Sequence, residues 1–308
     1  MARIVVTGGA GFIGSHVADE FIRQKHRVVI IDNLSTGFEK NINPRAKFYK
    51  VDINNSVIDK IFKREKPDIL CHHAAQIDVR KSVENPISDA QGNILGSLNL
   101  FESCVRHKVK KVIFASTGGA IYGEQAYFPA DESHPAKPLS PYGIAKLSIE
   151  SYLYFYAEVY GLNYICLRYA NVYGPRQNSW GEAGVVAIFA RKMLNDDKAF
   201  INGDGKQTRD FVYVNDVVKA NLLALDYPKN NTFNIGTGIE TDINTIFRLI
   251  KKETGNNQKE LHLPAKKGEQ KRSVLDFSRA RKDLKWRPKM DLAEGIKKTV
   301  EYFKDERC

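Results

Sequence analysis

The sequence is poor in cysteine, with four residues, and in tryptophan, with two. Cys71, Cys104, Cys166 and Cys308 show no C-x-x-C spacing, and three of them fall in apolar segments. Buried, reduced thiols explain this better than disulfides or a metal site. The seven histidines are scattered without ligand spacing, so no metal is expected. His72-His73 reads as a packed or cofactor-lining pair. No apolar run approaches the roughly 18 residues of a membrane span. The chain enters an apolar strand at once, leaving no room for a signal peptide. A soluble, cytoplasmic protein without a membrane partner is expected. Repeats and low-complexity segments are also missing.

Acidic residues are in deficit. Lys and Arg number 47 against 36 Asp and Glu, a formal charge of +11. The basic residues are dispersed, with some density at 259–287, and no nucleic-acid reading module accompanies them. A solvated surface is the first reading and attraction for doubly anionic nucleotide substrates the second. No nucleic-acid partner is expected. At 308 residues, 43% hydrophobic and 27% charged, the chain suffices for one large or two modest domains.

The stretch that organises the chain is Arg3-Ile-Val-Val-Thr-Gly8-Gly-Ala-Gly11-Phe-Ile-Gly14. Residues 4–6 read as a buried strand, and 12–24 carry a helical pattern. Between them Gly8, Gly11 and Gly14 let the backbone turn tightly and approach a pyrophosphate, whose charge then sits on the helix N-terminus. A second strand, 28–31, ends in Asp32. That carboxylate lies roughly twenty residues past the glycines, where an acid bonds both hydroxyls of an adenosine ribose. It repels a 2′-phosphate, so the cofactor reads as NAD rather than NADP.

Asn33-Leu-Ser35-Thr36-Gly37 is a polar turn suited to the adenosine end. A third strand, 48–51, ends at Asp52, an acid placed either to reach the adenine amino group or to cap the helix at 56–64. Residues 67–72 form a fourth strand, followed by Ala74-Ala75, where backbone can lie against a cofactor. A long amphipathic helix at 89–107 precedes strand five, 111–115. A second long helix spans 140–160, with strand six at 162–168. Such alternation predicts an α/β fold, a doubly wound parallel (Rossmann-type) sheet. Residues 171–210 are loop-like and suggest a cap. Residues 211–225 return to strand then helix, 232–236 is a further strand, and 243–254 and 292–303 are late helices. The expected division is an NAD-binding domain at 1–170, with 211–238 returning to it. A smaller mixed α/β C-terminal substrate domain takes the rest of 171–308.

Tyr142-Gly-Ile-Ala-Lys146 carries the chemistry. Residues four apart share a helix face, so phenol and ammonium stand side by side. A free tyrosine, with pKa about 10, is a poor base at neutral pH. A neighbouring lysine and a positive nicotinamide ring both favour the phenolate. Lys146 also reaches the nicotinamide ribose.

The chain resembles the extended short-chain dehydrogenase/reductases that act on nucleotide sugars, nearly end to end. The resemblance is carried by Thr7-Gly-Gly-Ala-Gly-Phe-Ile-Gly14, Asp32-Asn-Leu-Ser, His73-Ala-Ala-Gln76, Tyr142-x-x-x-Lys146, Arg168-Tyr-Ala-Asn171, Tyr173-Gly-Pro-Arg176 and Gly203-Asp-Gly-x-Gln-x-Arg209-Asp-Phe. The branch it most resembles inverts C4 of UDP-hexoses, interconverting UDP-glucose and UDP-galactose. The resemblance implies tightly held NAD, a 4-keto intermediate and Tyr142 as the base. It adds Phe12, Ile13, Ile53, Gln76, Asn93, Ser116 and Tyr169 to the cofactor positions. It also implies a homodimer built on the helices at 89–107 and 140–160.

One segment departs from the pattern. In Ser116-Thr117-Gly118-Gly119-Ala120-Ile-Tyr122 the usual catalytic hydroxyl position falls on Gly118. Either Thr117 supplies the hydroxyl, the favoured reading, or Tyr142 acts with little help, through water. No acid stands here, against the dehydratase and decarboxylase siblings. On the substrate side the resemblance implies Thr117, Gly118, Tyr142, Asn171, Val185, Arg209, Lys266 and Glu269, with Val185 and its neighbours over the uracil. Ser273 falls where the family tunes room at the sugar 2-position, which admits N-acetylhexosamine nucleotides. The alternatives are another nucleotide-sugar 4-epimerase, for UDP-glucuronate for instance, a nucleotide-sugar reductase, or an NAD-binding sensor subunit.

Overall fold

The computed structural model describes residues 1–179, 184–265 and 270–306. Strand and helix alternate through the first half: β1 (Arg3–Thr7), α1 (Phe12–Arg23), β2 (Arg27–Asp32), β3 (Lys47–Lys50), α2 (Val57–Glu65) and β4 (Ile69–His72). Two short helices, α3 (Val79–Glu84) and α4 (Pro86–Ala90), lead through a π-helical turn (Gln91–Leu95) into α5 (Gly96–Arg106). β5 (Lys111–Thr117), the single turn α6 (Gly118–Ile121), α7 (Pro141–Tyr160) and β6 (Asn163–Tyr169) follow. The second half holds β7 (Asn171–Tyr173), α8 (Val185–Leu194), β8 (Phe200–Asn202), β9 (Thr208–Tyr213), α9 (Val214–Asp226) and β10 (Asn231–Ile235). It ends with β11 (Glu240–Asp242), α10 (Ile243–Thr254), β12 (Leu261–Leu263), α11 (Ser278–Asp283) and α12 (Leu292–Asp305).

Seven strands form one sheet in the order β10-β6-β5-β4-β1-β2-β3, every pairing parallel. This is the doubly wound fold expected. The strand order reverses between β1 and β4, which opens a crevice at the carboxyl ends of the strands. The period-two pattern explains the layers. Ile4, Val6 and Ile30 pack with Phe21, Val217 and Phe233 on one face. Val5, Ile31 and Leu70 pack with Phe62, Phe101, Phe114 and Leu153 on the other. Each buried phenylalanine contributes about 1.5–3 kcal/mol over an exposed one.

Two expectations change. The helix expected at 89–107 begins at Pro86, because Asn85 caps it by accepting from the Ser88 amide at 3.0 Å. It is interrupted by the π turn, where the Ser97 hydroxyl donates back to the Asn93 carbonyl at 2.5 Å. The stretch expected as a cap contains β7, α8, β8 and the start of β9. Strands of three residues are too short to show a period, and here β7 and β11 flank the six-residue β9 in one small sheet while β8 and β12 form the other. Residues 211–238 go three ways. The end of β9 lies in the small sheet, α9 packs on α1, and β10 edges the large sheet. A third core, with Phe189, Tyr213, Phe247 and Ile296, joins α8, α10 and α12.

Candidate functional site

The glycine turn is built for close approach. Gly8 has φ +67°, and a Cβ there would stand 2.7 Å from the Ala74 amide nitrogen. A Cβ at Gly14 would stand 2.2 Å from the Gly8 carbonyl oxygen. Gly11 is the N-cap of α1 and supplies no side-chain cap, so the amides of Phe12 and Ile13 open a helix N-terminus suited to an anion. On the adenosine side, Asp32 accepts from the amides of Ala10 at 3.0 Å and Leu34 at 2.8 Å. One bond to each oxygen leaves lone pairs for a ribose. Asn33 accepts from the Ser35 amide at 3.0 Å and donates to Asp52 at 2.7 Å. Asp52 does not cap α2, whose N-cap is Ser56. Burial opposes its charge, but bonds from Asn54 and Asn33 outweigh burial and hold its carboxyl below the usual range. Thr36 is exposed beside Gly37, whose Cβ position lies 2.9 Å from Ala10. Ile53 is buried and presses on Gly96.

At the sheet's switch point the Thr7 hydroxyl accepts from the Ala74 amide at 3.2 Å and bonds His72 at 2.7 Å. His72 reaches Ser97 at 2.9 Å through its other nitrogen. His73 stacks on Tyr169 with ring centres 6.2 Å apart, and Asn221 donates to the Tyr169 hydroxyl at 2.8 Å. Burial and the Lys146 charge push His73 down to about 3, which keeps it neutral. Ala75 is half-buried on the loop after β4. Asn93, from the π turn, clamps Gln76 by accepting from its amide at 2.8 Å and donating to its carbonyl at 3.0 Å. Both side-chain amides also donate to the buried Asp89, each at 3.0 Å.

The expected reacting pair comes from α7. Ser140 caps it by accepting from the Gly143 amide at 3.2 Å, and Pro141 occupies its first turn. One turn apart, Tyr142 and Lys146 are brought together as expected. The Lys146 ammonium donates to the Ala115 carbonyl at 2.8 Å and lies 5.8 Å from the Tyr142 ring centre and 4.6 Å from that of Phe114. Burial lowers Lys146 to about 8, with Asp89 and Glu150 resisting. The easing of Tyr142 toward the phenolate expected from Lys146 and the nicotinamide ring works against the phenol's surroundings in the protein. Burial, reinforced by Asp89, pushes the phenol above its ordinary value. The lysine alone does not outweigh desolvation.

Thr117 ends β5 and caps α6 by accepting from the Ala120 amide at 3.2 Å. A Cβ built at Gly119 would lie 3.9 Å from its hydroxyl and 3.8 Å from the Asn171 side-chain oxygen, so these two groups flank one small space. A Cβ at Gly118 would meet Leu275 at 2.4 Å. A side chain at this position would therefore require Leu275 to shift. Ser116, the neighbour on the opposite strand face, is buried and donates to Glu150 at 2.5 Å. Its hydroxyl is thus engaged by Glu150 of α7.

On the substrate side, Arg209 is half-buried and donates to the Thr208 carbonyl at 2.8 Å. The next residue, Asp210, is buried and accepts from the amides of Thr237, Gly238 and Leu275. Val185 opens α8, and Ser273 is 2% exposed. Lys266, Glu269 and the start of the segment expected over uracil lie outside the described residues. Sequence reasoning missed Asp89, Glu150 and Leu275. Only Glu150 had a signal, standing four residues beyond Lys146 on the same helix face.

Cys71, Cys104 and Cys166 are buried free thiols. Among the described residues no group of His, Cys, Asp or Glu could hold a metal, and no helix is long and apolar enough to cross a membrane.

Fold and site together define a dinucleotide-dependent enzyme of the tyrosine–lysine type. The family model "NAD dependent epimerase/dehydratase family" matches residues 4–236, and the chain belongs to that family. It is 49% identical over 302 residues to a "Putative UDP-glucose 4-epimerase" of Methanocaldococcus jannaschii, covering 98% of both chains. It superposes on the UDP-glucose 4-epimerase of Thermotoga maritima, solved with UDP-glucose, at TM-score 0.98 and 50% identity, covering 99% of this chain and 100% of that one. The UDP-N-acetylglucosamine 4-epimerase of Methanobrevibacter ruminantium, in complex with UDP-N-acetylmuramic acid, matches at TM-score 0.94 and 38% identity, with 99% of each chain covered.

Proposed function

We propose that the chain is a UDP-hexose 4-epimerase that interconverts UDP-glucose and UDP-galactose with retained NAD. The observation that carries this reading is the pairing of half-buried Tyr142 with buried Lys146 against the carboxyl end of β5, in a fold shared with a UDP-glucose-bound relative. The residues fit the cofactor. Gly8, Gly11, Phe12, Ile13 and Gly14 cradle the pyrophosphate, and Asp32 with Asn33, Ser35, Thr36, Gly37, Asp52 and Ile53 surrounds the adenosine. Ala74, Ala75, Gln76, Asn93, Lys146 and Tyr169 line the nicotinamide end, with Ser116 behind it. Bound NAD supplies hydride exchange at C4 and a positive charge beside Tyr142.

Tyr142 takes the proton of the sugar 4-hydroxyl as C4 becomes a ketone, then returns it after the sugar has turned over in the pocket. Lys146 holds its charge against the phenolate and so offsets part of the burial. Thr117 donates a hydrogen bond to the same sugar oxygen, and Asn171 closes the small space across Gly119 from it. Arg209 serves the diphosphate and Val185 the uracil, while the roles of Lys266 toward the diphosphate and Glu269 toward the uridine ribose rest on the sequence resemblance alone. Residues 1–170, with 211–238, serve as the cofactor part, and the rest of 171–308 as the sugar-nucleotide part. Exposed Ile87, Leu95, Tyr154 and Val159 on the α4–α5 run and α7 suit pairing with a second copy in a cytoplasmic homodimer.

A second reading, turnover of UDP-N-acetylhexosamines as well, is favoured by the small side chain at Ser273. The test is an assay of purified protein on UDP-galactose and UDP-glucose without added NAD. Interconversion without net NADH, lost in Tyr142→Phe, is the expected result. Turnover that appears only when NADH is supplied, and consumes it stoichiometrically, would instead mark a reductase, and NAD binding without turnover a sensor. UDP-GlcNAc left untouched while UDP-glucose turns over would remove the second reading.

A further inference from the structure

The outer face of α1 carries contacts that the reaction does not use. Asp19 divides its carboxylate between two loops. One oxygen accepts from the Asn43 side-chain amide at 2.7 Å, the other from the Arg176 guanidinium at 2.7 Å. One turn earlier, the His16 ring bonds the Pro175 carbonyl at 2.9 Å. The loop at 33–43 is the wall on the adenosine side, where Phe38 and Asn41 both bond the Ala10 carbonyl. The turn at 173–177 belongs to the other half of the molecule. Gly174 has φ +150° and a Cβ position 2.6 Å from Val214, and Arg176 has φ +63°, an uncommon value for a side-chain-bearing residue. The turn therefore holds Arg176 in a conformation that aims it at Asp19. Lys40, in the adenosine-side loop, also pairs with Glu306 after α12. Phe12, at the start of α1, packs against the third core.

We propose that Asp19 is a clasp that retains the cofactor: by tying the pyrophosphate helix to the adenosine-side loop and to the 173–177 turn at once, it makes NAD release require separation of all three. This rests on the reading that NAD lies in the groove. A cofactor regenerated in every turnover is exchanged with solvent only if the groove opens. The glycine turn and Asp32 contact the ligand directly, whereas Asp19 lies on α1 beyond the helix N-terminus and acts through the walls.

The experiment measures NAD released on denaturation of purified protein, then the rate at which labelled NAD replaces the bound cofactor. Wild type, Asp19→Ala, Arg176→Ala and the double variant are compared. Asp19→Ala should exchange at least tenfold faster and Arg176→Ala faster than wild type, and the double variant no faster than Asp19→Ala, because loss of Asp19 already removes the contact that Arg176 makes. Additive acceleration, or exchange at the wild-type rate, overturns the clasp. Wild type that carries no NAD sinks the cofactor reading and the clasp with it. Should Arg176→Ala fail to fold, Asn43→Ala, which removes the other arm of Asp19, takes its place under the same criteria.

Discussion

Lys146 and Arg168 are both basic, both nearly excluded from water at 3% and 8% exposure, and both bear on α7. The Arg168 guanidinium forks onto Glu150, its Nε 3.0 Å from one oxygen and its Nη2 2.6 Å from the other. It also donates to the Tyr122 hydroxyl at 2.9 Å. Burial works against its charge, but the Glu150 bonds outweigh burial and raise its pKa. Lys146 has a carbonyl oxygen and two aromatic faces, and burial wins. A matched buried charge holds the fold in register, whereas an under-matched one is available to act on something that enters the site. Tyr142, Lys146 and Glu150 lie at successive helical turns of one stripe, so the contrast spans a single helix.

Removing a partner from the matched site should have the largest effect. Glu150→Gln leaves Arg168 buried without its counter-charge, and such losses run to about 3–5 kcal/mol. Denaturant unfolding should show that decrease. A change below about 1 kcal/mol would mean that the pair is no better matched than a surface bridge.

The under-matched site should respond in the opposite sense. Lys146→Met removes a buried charge with few partners, so stability at neutral pH should hold or rise while turnover falls about a hundredfold. The pH dependence checks the assignment. Between about 8 and the ordinary lysine value of 10.5, the folded wild type has released the Lys146 proton that the unfolded chain still binds. Wild-type stability therefore gains from this group as pH rises through that window, while activity falls as the ammonium discharges. The Met variant should lack that gain. An identical pH slope in both proteins would place the titration elsewhere.

The same distinction decides what was legible in the sequence. Residues 1–14, the acid at Asp32 and the Tyr142–Lys146 spacing are local patterns, each set by backbone geometry within a few residues, and they give the parallel sheet and the reacting pair. The Glu150–Arg168 bonds, the clamp of Gln76 by Asn93 and Asp89 and the Leu275 side chain over Gly118 join different elements, the last of them segments far apart in the chain. No periodicity encodes them. The three-residue strands of the small sheets are likewise defined only by their partners. The burial that opposes the Tyr142 phenolate becomes countable only when the whole pocket is assembled.

A smaller effect is expected where packing rather than charge separates the two sites. Gly118→Ser restores a hydroxyl at the usual position but drives its Cβ into Leu275, and such overpacking typically destabilises by about 1–3 kcal/mol. Adding Leu275→Ala should recover most of that loss. If the single variant is as stable as wild type and more active, Gly118 is an accident rather than a consequence of packing.

The finest test concerns Asp89, which faces the pair from the turn before the π segment. The other titratable groups around the pair are His72 at the end of β4 and His73 just after it, held neutral by burial and the lysine charge, and Cys166 from β6, whose thiol burial pushes up. Glu150 is committed to Arg168. Asp89 is thus the carboxylate acting on both Tyr142 and Lys146, raising each. Asp89→Asn keeps an acceptor for the Gln76 and Asn93 amides and removes the charge. The phenol should then ionise more readily and the ammonium discharge more readily, so both limbs of the pH–rate profile should move to lower pH. These limbs belong to the coupled pair rather than to either residue. A profile that drops in height without moving would assign Asp89 to holding the loop alone. Limbs that move in opposite directions would mean that Asp89 does not act on both members of the pair, and the contrast between the matched and under-matched turns of α7 would have to be redrawn.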